Sequence, residues 1–566
     1  MVSYAEKPWL KRYFKAVPPH AEYPEMSIPE LLNKTASKKP DSAAIYFMGR
    51  KMSYKELKEN VDRFATALAR LGVKKGDVVA IHLADLPQFI IGYYGALAAG
   101  ATVTAVSALF TPPEVKFQLN DSGAQTIITM DGKPLEIVNS VRKETKLKHV
   151  IVTSPSDYAP GSPKELPEKE GTHQMLNLIA SNSPNLPKIK SNPKEDIAAL
   201  QYTGGTTGVP KGAMLTQYNF VSNALQCSSV FSSFGLKYGE EVSLVNLPLF
   251  HIYGMTTCMN VPINMAWLMV LNADARDFNA LLSLIKTTKP TYFPGVPTVY
   301  MRLLQMPGVE KYYGDLKSIK LCVSGAAPMP PETQRRFEEV TGGTIIEGYG
   351  LTEASPVTHL GPSKETRKIG SIGFPLPDTE CRVVDIETAS KLVPIGEAGE
   401  LAMKGPQVMK GYWNKADETK NQLKSKLVNE AGPWLLTGDI AKMDEEGYFY
   451  IVDRKKDMID VSGFKVYPRE VEDKIFEHPS VAMAAVVGLP DPKTPGSEKV
   501  KAFVVLKPGV AENEDTKNSI IEFVKKSSAP YKVPKEIEFR KELPMTTVGK
   551  VLRRPLREED KAKAAK

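Results

Sequence analysis

Short runs of apolar residues alternate with longer amphipathic segments over most of the chain. "DVVAIHL" from Asp77 precedes "LPQFIIGYYGALAAG", and "TIITM" from Thr126 precedes "PLEIVNSVRKET". The short β-branched runs predict buried strands, whereas the longer segments have the length and spacing of helices. Strands that alternate with helices are typical of βαβ units. We therefore expect an α/β fold with a doubly wound, largely parallel sheet.

Two long stretches of the chain, Leu86–Pro113 and Leu247–Asn272, carry no charged residue. The first changes after Gly100 from an Ala-rich helical pattern to a β-branched one, which predicts a helix followed by a buried strand. The second is interrupted by Pro248 and Pro262. We therefore expect neither stretch to cross a membrane. The N-terminus has charges throughout and no apolar signal region, so a cytoplasmic location is predicted.

The texture of the sequence changes at two places. From 154 to 196 it is rich in Pro, Ser, Lys and Glu, which predicts an exposed excursion or a connection between subdomains. From 372 to 451 short strands with turn signals predict a compact β-rich unit. A small α/β pattern, with a helix near 516–526, follows the charged "DRKKD" at Asp453. We predict a large N-terminal domain, 1–453, and a small C-terminal domain, 454–566.

Composition and charge fit a globular protein. Hydrophobic residues are 42% and charged residues 24% of the chain, and the net charge is +8. From Arg454 onward there are 24 Lys and Arg against 18 Asp and Glu, which indicates either a solvated basic surface or a platform for a polyanionic ligand. No basic block with interleaved aromatic residues suggests nucleic acid. The four scattered cysteines predict reduced thiols and no zinc site.

A glycine-rich stretch, "YTGGTTGVPKG" from Tyr202 to Gly212, carries the most specific chemistry. Small residues let backbone N–H groups converge on phosphate oxygens, while hydroxyls and an ammonium group add hydrogen bonds. Pro210 before Lys211 excludes a Walker A loop, which requires glycine there. The stretch follows a strand-like segment and precedes a helix start at "TQYNF". It predicts a phosphate-binding loop.

Six motifs together resemble the adenylate-forming superfamily, which includes acyl-CoA synthetases, luciferases and the adenylation domains of peptide synthetases. They occur in the family's order from about residue 30 to 557: "YTGGTTGVPKGAMLT", "LPLFHIYG", "GYGLTEASP", "TGD", "DRKKDMIDVSGFKVYPREVE" and "TTVGKVLRR". The resemblance implies an ATP- and Mg²⁺-dependent enzyme that activates a carboxylic acid as its adenylate.

The resemblance also implies which residues bind the nucleotide. The phosphates would contact the glycine-rich loop, namely Thr203, Gly204, Gly205, Thr206, Thr207, Gly208 and Lys211. Adenine would lie against Tyr349 and neighbouring backbone, namely Gly325, Ala326, Ala327, Glu347, Gly348 and Gly350. Glu353 and Thr203 would hold Mg²⁺, a hard cation that needs few protein oxygens when phosphates supply the rest. Thr352 would contact the α-phosphate, and Asp439, assisted by Arg454, would accept hydrogen bonds from the ribose.

Catalysis in the family implies a mobile small domain. Lys550 would stabilise the negative charge that develops at phosphorus during adenylation. Lys456 occupies the hinge position, and rotation about it would withdraw Lys550 and bring Gly463, Phe464 and Lys465 to the active site for CoA. His251 would line or gate the entry of the carboxylate.

The acid itself is indicated by the stretch from "TGD" to "REVE", which is most similar to medium- and long-chain fatty acyl-CoA synthetases. The predicted lining of the acyl pocket is apolar: Met255, Val296, Ala326, Leu351 and Val357. We expect a fatty acid–CoA ligase. A short, hydroxy or aryl acid, transfer of the acyl group to a carrier protein, oxidation of the adenylate, and a non-enzymic fatty-acid-binding protein are the alternatives. Peripheral membrane contact and a homodimer are left open.

Overall fold

The structure of the chain is a computed structural model that describes residues 3–161, 170–185, 189–203, 209–492, 494, 496–546 and 551–564. Within these residues the strands, numbered β1 to β27 in chain order, are Ala43–Phe47, Arg50–Ser53, Val78–His82, Thr102–Ala105, Thr126–Met130, His149–Thr153, His173–Gln174, Ile197–Thr203, Lys211–Thr216, Val242–Val245, Leu268–Leu271, Tyr292–Gly295, Leu321–Ser324, Thr344–Gly350, Val357–Leu360, Phe374–Pro375, Glu380–Val384, Gly399–Lys404, Gly411–Tyr412, Leu423–Leu427, Glu430–Met443, Phe449–Arg454, Ile459–Val461, Phe464–Val466, Val481–Pro490, Glu498–Leu506 and Glu536–Phe539.

The α-helices of the same residues, α1 to α17, are Ile28–Lys38, Tyr54–Arg70, Pro87–Ala98, Pro112–Ser122, Lys133–Val141, Met175–Ala180, Gln217–Ser233, Ile252–Gly254, Val261–Asn264, Phe278–Thr288, Pro297–Leu304, Tyr313–Leu316, Pro331–Thr341, Ala416–Gln422, Pro468–Phe476, Glu514–Lys525 and Arg553–Ala564. A π-helix, Met255–Asn260, joins α8 to α9, and short 3₁₀ helices cover Thr352–Ala354 and Lys455–Asp457.

The chain forms two compact units. One contains Leu10–Glu380 and Lys404–Lys424. Its described strands form two sheets, with orders β19-β9-β8-β4-β3-β5-β6-β7 and β16-β15-β14-β13-β12-β10-β11-β1-β2. The central pairs of both sheets are parallel, and antiparallel pairs occur only toward the edges. The predicted doubly wound α/β architecture is confirmed.

The other unit contains Met1–Trp9, Cys381–Met403 and Ser425–Lys566. Its β-rich part is a sheet of order β17-β18-β21-β20 with β22 beside β21, as the pattern from 372 to 451 predicts. The last part combines the sheet β25-β26-β27 with α15 to α17 around an aliphatic core. The predicted division into 1–453 and 454–566 concerns which segment of the chain moves, and it stays a prediction.

The uncharged stretch after Leu86 folds as expected, into α3 and the buried strand β4. Every residue of α3 up to Leu97 is buried, because the helix packs between other helices and its own sheet and has no solvent-facing stripe. None of the helices in the described part of the chain combines the length and the apolar character needed to cross a membrane.

The prediction of an exposed excursion from 154 to 196 is wrong for part of that segment. Strand β7 extends the first sheet by pairing parallel to β6, and α6 buries Met175 and Ile179. These few apolar residues are enough to anchor the segment, although its overall composition is polar.

Candidate active site

The phosphate-binding loop connects two paired strands. Strand β8 ends at Thr203 and β9 begins at Lys211, and these two residues face each other across the antiparallel pair. The register brings the predicted metal-binding hydroxyl and the predicted phosphate-binding ammonium group to the base of one loop. The remaining predicted loop residues, Gly204, Gly205, Thr206, Thr207 and Gly208, lie outside the described residues.

Lys211 lies in a site built by a segment far away in the sequence. Strand β19 pairs antiparallel with β9, so that Tyr412 lies opposite Ala213. The Lys211 ammonium group lies 5.2 Å from the centre of the Tyr412 ring and forms an ion pair with Glu418 of α14. A cation over an aromatic face is attracted by the ring's electron density. Lys211 therefore has a partner on each side.

Glu353 belongs to the same group of side chains. It lies in the 3₁₀ helix Thr352–Ala354, which runs beside β8 and β9. The Tyr412 hydroxyl donates to Glu353 Oε1 at 2.7 Å, and the Glu353 carbonyl accepts the N–H of Met409 at 2.8 Å. Burial and the nearby carboxylate raise the pKa of Tyr412, so the phenol keeps the proton that it donates. The 3₁₀ helix that carries Thr352 and Glu353 therefore lies beside the two strands that flank the predicted phosphate loop, and the roles of these residues stay predictions.

The chemistry of this group fits a magnesium ion. In the described part of the chain no three His, Cys, Asp or Glu side chains come together as a metal site. The predicted ligands are only two, Glu353 and the hydroxyl of Thr203. Mg²⁺ is commonly bound in this way, by one or two carboxylates together with substrate phosphates and water.

The predicted adenine-binding residues come together at the carboxyl ends of two parallel strands. Ser324, at the end of β13, pairs with Glu347 of β14, so the loop after Ser324 lies beside Gly348 and Tyr349. Ligands of α/β sheets bind at this edge. Tyr349 is half-buried and packs edge-to-face on His359, with ring centres 5.7 Å apart.

Two residues, Gly325 and Ala326, shape the same loop. A Cβ on Gly325 would lie 3.1 Å from the Tyr253 ring and 3.3 Å from the Gly348 carbonyl oxygen, so a side chain there requires its neighbours to move. Ala326 has a positive φ of 66°. The backbone at Gly325 thus lies against Gly348, and the adenine contacts of Gly325, Ala326, Ala327 and Gly350 stay a prediction.

His251 begins the helix α8 after the loop 247–250. Its Nδ1 accepts the N–H of Tyr253 at 3.2 Å, which leaves the proton of the neutral ring on Nε2. A hydrogen-bond donor at Nε2 suits the predicted contact with a carboxylate. The following π-helix buries Met255, and such helices often occur at functional sites.

Two buried polar side chains hold the loop before His251. Asp85, after β3, accepts the N–H of Leu249 at 2.7 Å, and Gln201 of β8 donates to the Phe250 carbonyl at 2.8 Å. Burial raises the pKa of Asp85 to about 8. Sequence reasoning missed both residues, since a single Asp or Gln in a hydrophobic segment carries no local signal of its partner.

The predicted ribose-binding pair lies in the β-rich sheet. Asp439 of β21 and Arg454 of β22 face each other across the strands, with 3.7 Å between Asp439 Oδ1 and Arg454 Nε. Lys456 follows in the 3₁₀ helix Lys455–Asp457 and is exposed. Thus the predicted partners Asp439 and Arg454 are together, and the predicted hinge residue comes two positions after the strand that ends with Arg454.

The predicted CoA segment forms a small hairpin of β23 and β24. Gly463 lies at its turn with φ of 88°, and its N–H donates to Asp460 at 2.7 Å. Phe464 is 57% exposed and stacks on Tyr531, with ring centres 4.7 Å apart. Lys465 pairs with Asp460, which raises the pKa of the lysine. Gly463, Phe464 and Lys465 are all exposed at the surface. The predicted catalytic residue Lys550 lies outside the described residues.

Comparison with known proteins gives the family. The family model "AMP-binding enzyme" matches residues 32–413, and "AMP-binding enzyme C-terminal domain" matches 470–550. The long-chain-fatty-acid–CoA ligase of Bacillus subtilis (strain 168) is 42% identical over 98% of both chains, and that of Escherichia coli O6:H1 is 38% identical over 99% of both.

Solved structures agree with this result. The crystal structure of an anthranilate CoA ligase in complex with anthranoyl-AMP superimposes with a TM-score of 0.83 at 27% identity, covering 98% of this chain and all of that one. The shared architecture covers nearly the whole chain, and the two family models match the segments that carry Lys211, Glu353 and Lys550. The chain belongs to the AMP-binding, adenylate-forming family of enzymes.

Proposed function

We propose that this protein is an ATP-dependent fatty acid–CoA ligase. The observation that carries the proposal is the end-to-end similarity to curated long-chain-fatty-acid–CoA ligases, at 42% identity over 98% of the chain. The similarity to this relative extends over the segments predicted to serve both half-reactions. The arrangement of Lys211, Tyr412 and Glu353 at the base of the phosphate loop supports the first of them.

In the first half-reaction the acid's carboxylate oxygen attacks the α-phosphorus of ATP, so that pyrophosphate leaves and acyl-AMP forms. Lys211 and the glycine-rich loop bind phosphate oxygens, and Thr352 contacts the α-phosphate. Glu353 and Thr203 would hold Mg²⁺, which neutralises phosphate charge when bound. His251 donates a hydrogen bond to the acid, and Asp439 with Arg454 binds the ribose.

In the second half-reaction the CoA sulfur attacks the acyl carbon and displaces AMP, and the thiol proton is released. We propose that segment 454–566 rotates about Lys456 between the two steps. This exchange removes Lys550, which stabilises charge at phosphorus, and presents Gly463, Phe464 and Lys465 to CoA. A hinge of this kind absorbs a change of backbone angles at a few residues.

The apolar character of the predicted pocket supports an alkyl acid. Met255, Val296 and Val357 are each at most 5% exposed in the folded chain. We propose a medium- or long-chain fatty acid as substrate and the cytoplasm as the location. An aryl acid is the second candidate, because the solved relative with the TM-score of 0.83 is an anthranilate CoA ligase.

A direct assay tests the proposal. The purified protein is incubated with MgATP and a panel of C2 to C18 acids, benzoate and anthranilate, with or without CoA. We expect AMP and acyl-CoA only when CoA and an alkyl acid are both present. Preference for an aryl acid would support the second candidate. Release of AMP without CoA, or no release of AMP with any of the acids, would contradict the ligase.

A further inference from the structure

The Tyr412 side chain contacts both the lysine that follows the predicted phosphate loop and the predicted metal-binding carboxylate. Its ring lies under the Lys211 ammonium group at 5.2 Å, and its hydroxyl donates to Glu353 Oε1 at 2.7 Å. The residue is 6% exposed. No motif in the sequence analysis includes Tyr412, and phosphate binding by itself does not require a phenol.

The backbone around Tyr412 is held from several sides. Its N–H donates to Thr419 Oγ1 at 2.8 Å. The next residue, Trp413, donates its backbone N–H to the carbonyl oxygen of Gly212 at 2.8 Å and its indole N–H to the backbone carbonyl oxygen of Asp121 at 3.1 Å. A ring anchored in this way is held in place relative to β9. Its hydroxyl can therefore hold Glu353 at a fixed position relative to that strand.

Charge makes the separation of these groups important. Lys211 and Glu353 have opposite charges, but the first is predicted to bind phosphate and the second a cation. Tyr412 is a neutral side chain that interacts favourably with both. Glu418 pairs with Lys211 and supplies the lysine with a counter-charge.

We propose that Tyr412 is a positioning residue for the metal–nucleotide complex, whose hydroxyl orients Glu353 and whose ring orients Lys211. The inference rests on the proposed function only in taking ATP as the ligand. It assigns two separable roles to one side chain. The hydroxyl should contribute to the gain in ATP affinity when Mg²⁺ is added. The ring should contribute to the ATP affinity measured without metal.

The test measures ATP affinity by titration calorimetry without acid or CoA, once with excess Mg²⁺ and once with EDTA. For Tyr412→Phe we expect affinity in EDTA within about twofold of wild type and affinity in Mg²⁺ about tenfold weaker, as for a lost hydrogen bond to a charged group. Tyr412→Leu, which also removes the ring, should weaken binding in EDTA several-fold, by roughly the value of a partly buried cation–π contact.

Tyr450→Phe is the matched control, since Tyr450 also donates its hydroxyl to a carboxylate, that of Asp444 at 3.1 Å, and belongs to the other compact unit. It should bind ATP as wild type does in both buffers. The proposal is overturned if Tyr412→Phe loses ATP affinity by the same factor in both buffers or loses none in either. It is also overturned if the control shows the same loss as Tyr412→Phe. If Tyr412→Leu does not fold, Tyr412→Phe alone decides.

The proposed function fails separately from this inference. A wild type that binds MgATP but forms no acyl-CoA with any alkyl acid contradicts the ligase while the affinity ratio still decides the role of Tyr412. A wild type that binds no ATP in either buffer overturns both.

Discussion

Single buried polar residues set the chemistry of the loop that leads to His251. Asp85 is 6% exposed and accepts the N–H of Leu249, and no cation pairs with it in the described contacts. Burial penalises the charged form of a carboxyl group, which is why the pKa of Asp85 rises to about 8. The group is therefore largely protonated when the protein is folded at neutral pH.

Replacing Asp85 by Asn should make the stability of the protein less sensitive to pH. In wild type the folded state binds a proton at Asp85 that the unfolded state loses above about pH 4, so stability falls as pH rises toward 8. The slope from this group is on the order of 1 kcal/mol per pH unit. Melting temperatures of Asp85→Asn and wild type should diverge between pH 5 and pH 8, in favour of the variant.

The control for this experiment is Asp41→Asn, because Asp41 is exposed. Its melting curve should follow wild type over the same pH range. Parallel profiles for Asp85→Asn and wild type would contradict the assignment of a buried, protonated carboxyl group, since the variant removes the titrating group and keeps an oxygen to accept the Leu249 N–H.

At the scale of elements, one arginine fastens the C-terminal helix α17 to the segment around the predicted hinge. Arg553 bonds Glu472 of α15 through Nε and Nη2, and its Nη1 lies 3.3 Å from Asp453 and 3.2 Å from Asp457. Asp453 is almost fully buried, and its carboxylate also accepts the backbone N–H of Arg469 at 2.6 Å. The neighbouring carboxylates raise the pKa of Arg553 against the opposing effect of burial.

Arg553→Ala should destabilise the C-terminal part of the chain strongly. It leaves three carboxylates close together without their shared cation, and breaking a buried ion pair in this way costs about 3–5 kcal/mol. Arg554→Ala is the matched control: Arg554 is 54% exposed, pairs only with Glu558 on its own helix among the described contacts, and should cost about 0.5 kcal/mol or less. The loss of stability in each variant is measured by urea unfolding, followed by hydrogen exchange of residues 470–546. Equal losses in the two variants would show that the ion pairs of Arg553 do not support the structure.

At the scale of the whole molecule, the proposed mechanism requires one part of the chain to serve two steps in turn. In this proposed mechanism Lys550 would stabilise charge only during adenylation, so its effect on the two half-reactions should differ. For Lys550→Ala we expect adenylate formation to fall by about 10²-fold or more, as when one donor to a developing charge is removed. Thioester formation from supplied acyl-AMP and CoA should stay close to wild type.

Pyrophosphate release measures the first step, and acyl-CoA formation from synthetic acyl-AMP measures the second. Lys526→Ala, an exposed lysine of the same segment, should change neither. If Lys550→Ala slows both steps equally, the two steps do not use different placements of this segment, and the rotation about Lys456 is not supported.

Local patterns alone determined much of this protein. The alternation of apolar runs and amphipathic segments sufficed for the α/β fold, because it depends on interactions between residues close in sequence, such as a strand followed by a turn. The roles of the glycine-rich loop, Glu353 and Asp439 follow from the resemblance of contiguous motifs to a family and stay predictions. The tertiary structure decided where distant residues meet: Tyr412 and Glu418 at Lys211, Asp85 at Leu249, and Arg553 at Asp453. Pairing of β19 with β9 and burial of polar groups arise from packing over long sequence separations, and no periodicity in the chain encodes them.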